Sequence, residues 1–160
     1  RSLFAALSLL PWPGTGYGDL WRAADLLREH RGDAHIAAWM GVVDACEITL
    51  LTELSWGLAP RSYVFTRGWK TETVDEAEAR LQDRGLIRDG KLTAAGEDLR
   101  ENIEARTDRS EAEVIERLGD RTDELFGLLR PRGRAIVEGG GYPFNFDNLT
   151  ERVGGATPRR

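Results

Sequence analysis

TETVDEAEARLQDRGLIRDGKLTAAGEDLR, residues Thr71 to Arg100, changes its hydrophobic period twice. Val74, Ala77 and Leu81 recur at i, i+3 and i+7, the stripe of a short amphipathic helix. Thr73-x-x-Glu76 has the form of a capping box, so the helix is expected to start between Thr71 and Thr73. Gly85, directly after Arg84, supplies the left-handed residue that commonly closes a helix. Leu86-Ile87 and Leu92 then flank Arg88-Asp89-Gly90-Lys91, and Asp-Gly between short apolar runs is a strong hairpin signal. Thr93 stands where it can cap a following helix that carries Leu99 and Ile103 on one face. Helix, hairpin, helix is the order of a winged helix-turn-helix. The expected fold class is therefore mostly α, with a two-stranded β wing and additional packing helices.

The charge of this segment does not suit the usual task of such a fold. From Lys70 to Arg84, five acidic residues (Glu72, Asp75, Glu76, Glu78, Asp83) stand against Lys70, Arg80 and Arg84, a local charge of -2. Non-specific affinity for DNA comes chiefly from neutralising phosphates with Lys and Arg, so a helix of this charge is repelled by a duplex. The hairpin is slightly basic, with Arg88 and Lys91 against Asp89, and Arg61 and Arg67 lie on the approach. A DNA-reading surface would have to be built from Arg67, Lys70, Thr71, Thr73, Arg80, Arg84, Arg88 and Lys91, with the carboxylates turned elsewhere.

Outward from this core, the 160 residues are 41% hydrophobic and 31% charged, which fits one compact domain or two small ones. A net charge of -5 gives no global basic footprint for nucleic acid or an anionic membrane. No run reaches the roughly 20 apolar residues that span a bilayer, so no membrane partner is expected. Cys46 is the only cysteine, which rules out an intrachain disulfide and fits a reducing, cytoplasmic setting. The apolar run Ser2 to Leu10 meets Pro11-Trp12-Pro13 directly and reads as a packing helix rather than a signal sequence. A Pro/Gly linker follows to Gly18. Asp19 is expected to cap a helix ending at Gly32, and Asp33 to start a second, mostly buried helix over Ala34 to Trp56. Beyond the hairpin, helices are expected over Leu92–Thr107, Ser110–Leu118 and from Asp120, with Pro131 setting off a last short segment before Gly139. The chain thus divides into an N-terminal helix and linker (1–18), a winged-helix core (19–109), a C-terminal helical extension (110–150) and a flexible tail (151–160).

Four stretches in one order give the chain a family look: LREHRGDAHIAAW from Leu27, TRGW from Thr66, LTAAGEDLRENIEARTD from Leu92 and LLRPRGRAIVEGGGYPF from Leu128. Together they resemble the SalK-like helix-turn-helix family of actinobacteria, over roughly Phe4 to Leu149, with this chain looking like the C-terminal half of longer members. The resemblance implies a winged-helix fold and a regulator associated with natural-product gene clusters, with no catalytic residues to carry over. Where members commonly have Ser after the Trp of TRGW, this chain has Lys70, which moves the expected helix cap to Thr71 or Thr73.

A ligand pocket is the other candidate site. Five tryptophans, at 12, 21, 39, 56 and 69, are many for this length, and Trp39, Trp56 and Trp69 fall near the central and reading helices. Asp44 and Glu47, three residues apart, place two carboxylates on neighbouring parts of one face and could anchor a ligand. An ion pair with Arg28, Arg67 or another guanidinium accounts for them more simply. His30 and His35 flank a helix break without metal-ligand spacing, so no metal site is expected. No phosphate loop or dinucleotide motif is present, and no nucleophile has a nameable base, so no cofactor is expected. Three functions remain, in order: a regulatory or interaction module with a protein partner, self-association or a small hydrophobic ligand; a sequence-specific DNA-binding transcriptional regulator; and an enzyme on a repurposed winged-helix scaffold.

Overall fold

The computed structural model describes residues 1–141, so the turn-rich stretch expected from Tyr142 and the tail over 151–160 lie outside the described residues. These residues form helices α1 (Ser2–Ser8), α2 (Gly16–Trp39), α3 (Ala45–Ser55), α4 (Thr71–Asp83), α5 (Ala94–Leu118) and α6 (Arg121–Glu138). A 3-10 turn, Val64–Arg67, precedes α4, and strands β1 (Ile87–Arg88) and β2 (Lys91–Leu92) form one antiparallel pair. The fold is mostly helical with a small two-stranded sheet. It divides into two compact units, Arg1–Ala112 and Glu113–Arg160, with the boundary inside α5.

In the first unit, the stretch after α3 follows its local signals closely. α4 buries Val74, Ala77 and Leu81 and closes at Gly85, whose φ is 69°. Asp89 and Gly90 both take positive φ, 50° and 68°, which is the type I′ geometry that lets Ile87 face Leu92 and Arg88 face Lys91. Thr93 then starts α5: its hydroxyl oxygen accepts from the Gly96 N–H at 3.2 Å while its own N–H donates to the Leu86 carbonyl at 3.0 Å. α3, α4, the hairpin and Ile103 of α5 close one core around Leu51, Val64, Val74, Ala77 and Leu81, all fully buried.

Four expectations for the first unit need correction. α4 starts at Thr71 with Lys70 at the N-cap and no side-chain cap, so Thr73 and Glu76 do not form the capping box. α2 is one helix from Gly16 through Gly32 and Asp33 to Trp39, capped by Thr15 rather than Asp19. Asp33 does cap a helix, but another one: its carboxylate accepts from the Phe4 N–H of α1 at 3.0 Å. Burial weakens and that hydrogen bond strengthens its acidity, with the bond winning, so its carboxyl titrates below the ordinary value. The long central helix expected over Ala34 to Trp56 is interrupted between Met40 and Asp44, where Gly41 turns the chain at φ 89° and Met40 bridges to Val43. The restart is made by Asp44, which accepts from the Cys46 and Glu47 N–H groups at 2.9 and 2.8 Å while Glu47 accepts from the Asp44 N–H at 2.9 Å. Finally, α5 is continuous through Ser110, whose hydroxyl donates back to the Arg106 carbonyl at 3.1 Å instead of capping.

The loop between α3 and the 3-10 turn is organised by a buried carboxylate. Glu53, fully buried on α3, accepts N–H bonds from Arg61, Tyr63 and Val64 at 2.5, 3.1 and 2.9 Å. Burial raises its pKa, and the N–H bonds oppose that rise without cancelling it. Its reward is a fixed path for the chain, including a left-handed Arg61 at φ 65°.

The second unit contains the end of α5 and α6. α6 runs through Pro131 without the break expected there, and Arg132 donates to the Leu128 carbonyl at 2.5 Å. Gly127 and Gly133 each cost about 1 kcal/mol against Ala in a helix interior and Pro131 about 3. No residue of α6 is buried.

Candidate interaction surface

Two ion-pair clusters flank α4, one joining it to α3 and its N-cap and the other to the loop that follows α3. On one flank Arg80 donates from Nε to Glu47 Oε1 at 2.9 Å and from Nη2 to Asp44 Oδ2 at 2.5 Å, and Arg84 Nη1 lies 3.6 Å from Glu47 Oε2. On the other flank Arg61 donates from Nε to Glu78 Oε2 at 2.8 Å and from Nη1 to Asp75 Oδ1 at 2.6 Å. Both guanidiniums are held above their ordinary pKa, Arg61 chiefly by its bond to Glu78 and Arg80 chiefly by its bond to Glu47. Asp44 and Glu47 are thus a capping box with a guanidinium pair, and the guanidiniums are Arg80 and Arg84, not Arg28 or Arg67.

These clusters decide what α4 shows to solvent. At 100° per residue, Glu72, Glu76, Ala79 and Asp83 lie on the side of the helix opposite Val74, Ala77 and Leu81. Glu72, Glu76 and Asp83 are exposed and make no ion pair with any described residue. The helix therefore neutralises its flanks internally and presents a purely acidic outer stripe. Sequence arithmetic found the net charge of α4 but missed Arg61 as a partner of Asp75 and Glu78, because that pairing depends on the loop path set by Glu53.

The remaining candidate DNA-contacting residues lie around this stripe. Thr71 opens α4 and is exposed, while Thr73 is half-buried and its carbonyl accepts from the Cys46 thiol at 3.9 Å. Lys70 sits at the N-cap, and Arg88 and Lys91 face each other across the hairpin; none of the three makes an ion pair with a described residue. Arg67 lies over the Tyr63 ring, 4.5 Å from its centroid, and donates to the Tyr63 hydroxyl. Arg80 and Arg84 are the ones withdrawn, since their guanidiniums are turned to α3.

The candidate pocket residues are placed differently from one another. Trp39 and Trp69 pack against the buried core, and Trp56 meets the Tyr63 ring at 5.6 Å. Cys46 is buried in that core with its thiol pushed up to about 11, first by burial and then by the Asp44 carboxylate, so it carries no thiolate at neutral pH. A second polar seam joins α2 to α5. There His30 Nδ1 lies 2.7 Å from Glu111, Arg31 donates to Glu104 at 2.7 Å, and His35 Nδ1 lies 3.2 Å from the Thr107 hydroxyl. Burial would raise the pKa of Glu104, but Arg100, Arg31 and His35 together hold it below the ordinary value.

Among the described residues no group of three or more His, Cys, Asp or Glu is arranged to hold a metal ion, and no helix is long and apolar enough to cross a membrane. The model of a helix-turn-helix family matches residues 1–143. Neither a curated protein nor a solved structure matches the chain.

Proposed function

The chain belongs to this helix-turn-helix family, and from that membership we propose that it is a winged-helix regulatory module whose α4 binds a basic protein partner. In this reading α3, the 3-10 turn and α4 form the helix-turn-helix and β1–β2 the wing. The resemblance to SalK-like actinobacterial proteins adds a cytoplasmic regulator tied to a natural-product gene cluster. The observation that carries the reading is the outer stripe of Glu72, Glu76 and Asp83, free of ion pairs with described residues, together with the withdrawal of Arg80 and Arg84 to α3. A phosphate backbone would be repelled there, whereas a Lys- or Arg-rich surface would be steered in.

Direct DNA binding is the second reading, supported by Arg67, Lys70, Arg88 and Lys91, which make no ion pair with a described residue. A salt-titrated mobility assay with DNA from the gene's own neighbourhood separates the two, using the wild type and a Glu72→Gln, Glu76→Gln, Asp83→Asn variant. A basic-partner module gives no retardation even at low salt, and its affinity for an Arg/Lys-rich peptide falls roughly tenfold in the variant. Salt-sensitive retardation by the wild type that tightens in the variant would overturn it in favour of DNA.

A further inference from the structure

The first half of α2 turns an apolar stripe away from α1 that no described residue covers. At 100° per residue Tyr17, Leu20, Trp21, Ala24 and Leu27 fall within one arc of about 120°, opposite Arg22, Leu26 and Asp33. The opposite side is the one that is used: Asp33 accepts from the Phe4 N–H at 3.0 Å and Arg22 donates to the Leu10 carbonyl at 3.2 Å. On the stripe Tyr17 is 92% exposed, Trp21 72%, Leu20 49% and Leu27 47%, and Ala24 is exposed between them. α5 takes over this face only from Arg31, which it holds through Glu104 at 2.7 Å, so the free length runs from Tyr17 to Arg28.

The order of residues along the stripe says what covers it. Trp21 and Arg28 stand about 60° and 40° to one side of Ala24, and Leu20 and Leu27 about 40° and 60° to the other. Two copies of α2 running antiparallel about a two-fold axis at Ala24 bring position 20 level with 28 and position 21 level with 27. Residues on the same side of the seam then meet, Leu20 with Leu27 and Trp21 with Arg28, while the two Ala24 side chains are small enough for close approach at the centre. Arg28 is prepared for that contact. Its guanidinium is bonded to Asp25 Oδ1 at 3.2 Å and lies 2.7 Å from Glu29 Oε1, both on the Trp21 side of Ala24, yet its side chain is 69% exposed and open to stacking by an indole. A parallel pair would instead bring the two Arg28 side chains to one level. Tyr17 and Trp21 can each bury on the order of 150–200 Å². With two leucines from each copy, the contact reaches the roughly 1,000 Å² at which specific interfaces begin.

We propose that the first half of α2 is a self-association surface, covered by α2 of a second copy packed antiparallel across a two-fold axis at Ala24, with Trp21 on Arg28 and Leu20 on Leu27 of the other copy. None of these residues lies on α4, so the contact is separate from whatever α4 binds.

Sedimentation equilibrium of the whole chain tests it. The wild type is expected to be a concentration-dependent dimer, and Trp21→Ala to raise its dissociation constant at least tenfold. An acidic variant (Leu20→Glu, Leu27→Glu) and a basic variant (Leu20→Lys, Leu27→Lys) are each expected to be monomeric and to form a heterodimer when mixed. One chain carrying Leu20→Glu and Leu27→Lys is expected to dimerise, because the antiparallel seam sets opposite charges together twice, whereas a parallel pair sets like against like. A wild type that stays monomeric at every concentration overturns the proposal and assigns the face to a different partner. A dimer as tight in Trp21→Ala, or one that survives in the acidic and basic variants alone, overturns it too. So does a pair of variants that keep their helicity by circular dichroism and fail to pair on mixing.

Discussion

Gly96 has no room for a side chain. It lies in the first turn of α5, and a Cβ built on it would fall 2.1 Å from the Leu86 carbonyl oxygen. That oxygen is held in place by the Thr93 N–H, which donates to it at 3.0 Å, while the Thr93 hydroxyl is shared between the Gly85 carbonyl at 2.7 Å and this one at 3.2 Å. Helix propensity alone would reward Gly96→Ala by about 1 kcal/mol. The clash is with hydrogen-bonded backbone, so the substitution is expected to destabilise the fold by about 1–3 kcal/mol net, measured by urea unfolding. A variant as stable as the wild type would show that α5 can slide away from the hairpin. His35 supplies a second test at this scale. Burial, with Arg100 and Arg31 beside it, lowers its pKa below 6.5, against the pull of Glu104. Thr107 donates its hydroxyl to the Ile103 carbonyl at 2.8 Å, so it accepts from a neutral His35 Nδ1–H. A lowered pKa means that the unfolded chain takes the proton first as pH falls. The contribution of His35 is complete above pH 6.5 and is lost as pH drops below it toward the folded pKa. His35→Asn should therefore flatten part of the fall in melting temperature between about pH 7.5 and 5 relative to the wild type. Parallel melting curves for the two proteins would contradict this.

At the scale of elements, what the sequence disclosed depended on whether a signal was used locally. The hairpin and the start of α5 were legible because Gly85, Asp89-Gly90 and Thr93 act on their immediate neighbours, with positive φ at the first three. Helix breaks were misread where a capping residue spends its side chain elsewhere. Asp33 caps α1 from the middle of α2, and Ser110 bonds back within α5. The reverse holds at Asp44-x-x-Glu47, a capping box whose helix start is masked in the sequence because the apolar run continues on both sides of it. Its sequence form was the signal that could have located the α2–α3 break. At the candidate surface, the acidic excess of α4 was legible. The sorting of those acids was not, since it requires Arg61 to arrive from the loop and Arg80 to reach α3. The loop in turn is held by Glu53, a buried carboxylate whose three N–H partners lie eight to eleven residues away in sequence. Long-range pairing of this kind leaves no periodic trace in the sequence.

For the molecule as a whole, the two units draw on different sources of stability. The first encloses Leu51, Val64, Val74, Ala77 and Leu81 completely, so amides of α3 and α4 should exchange with solvent only through opening of that core. This protection belongs to the single chain and is independent of concentration. α6 has no buried residue and an interior weakened by Pro131 and two glycines, so little packing among the described residues protects its amides. Peptide-level hydrogen exchange reads both elements at once: amides of α6 are expected to exchange far faster than those of α3 and α4, without waiting for the core to open. Protection of α6 equal to that of α3 and α4 would mean that contacts beyond those of the described residues hold the helix, and loss of protection in all elements together would mean that the core of the first unit opens more readily than its completely buried side chains imply.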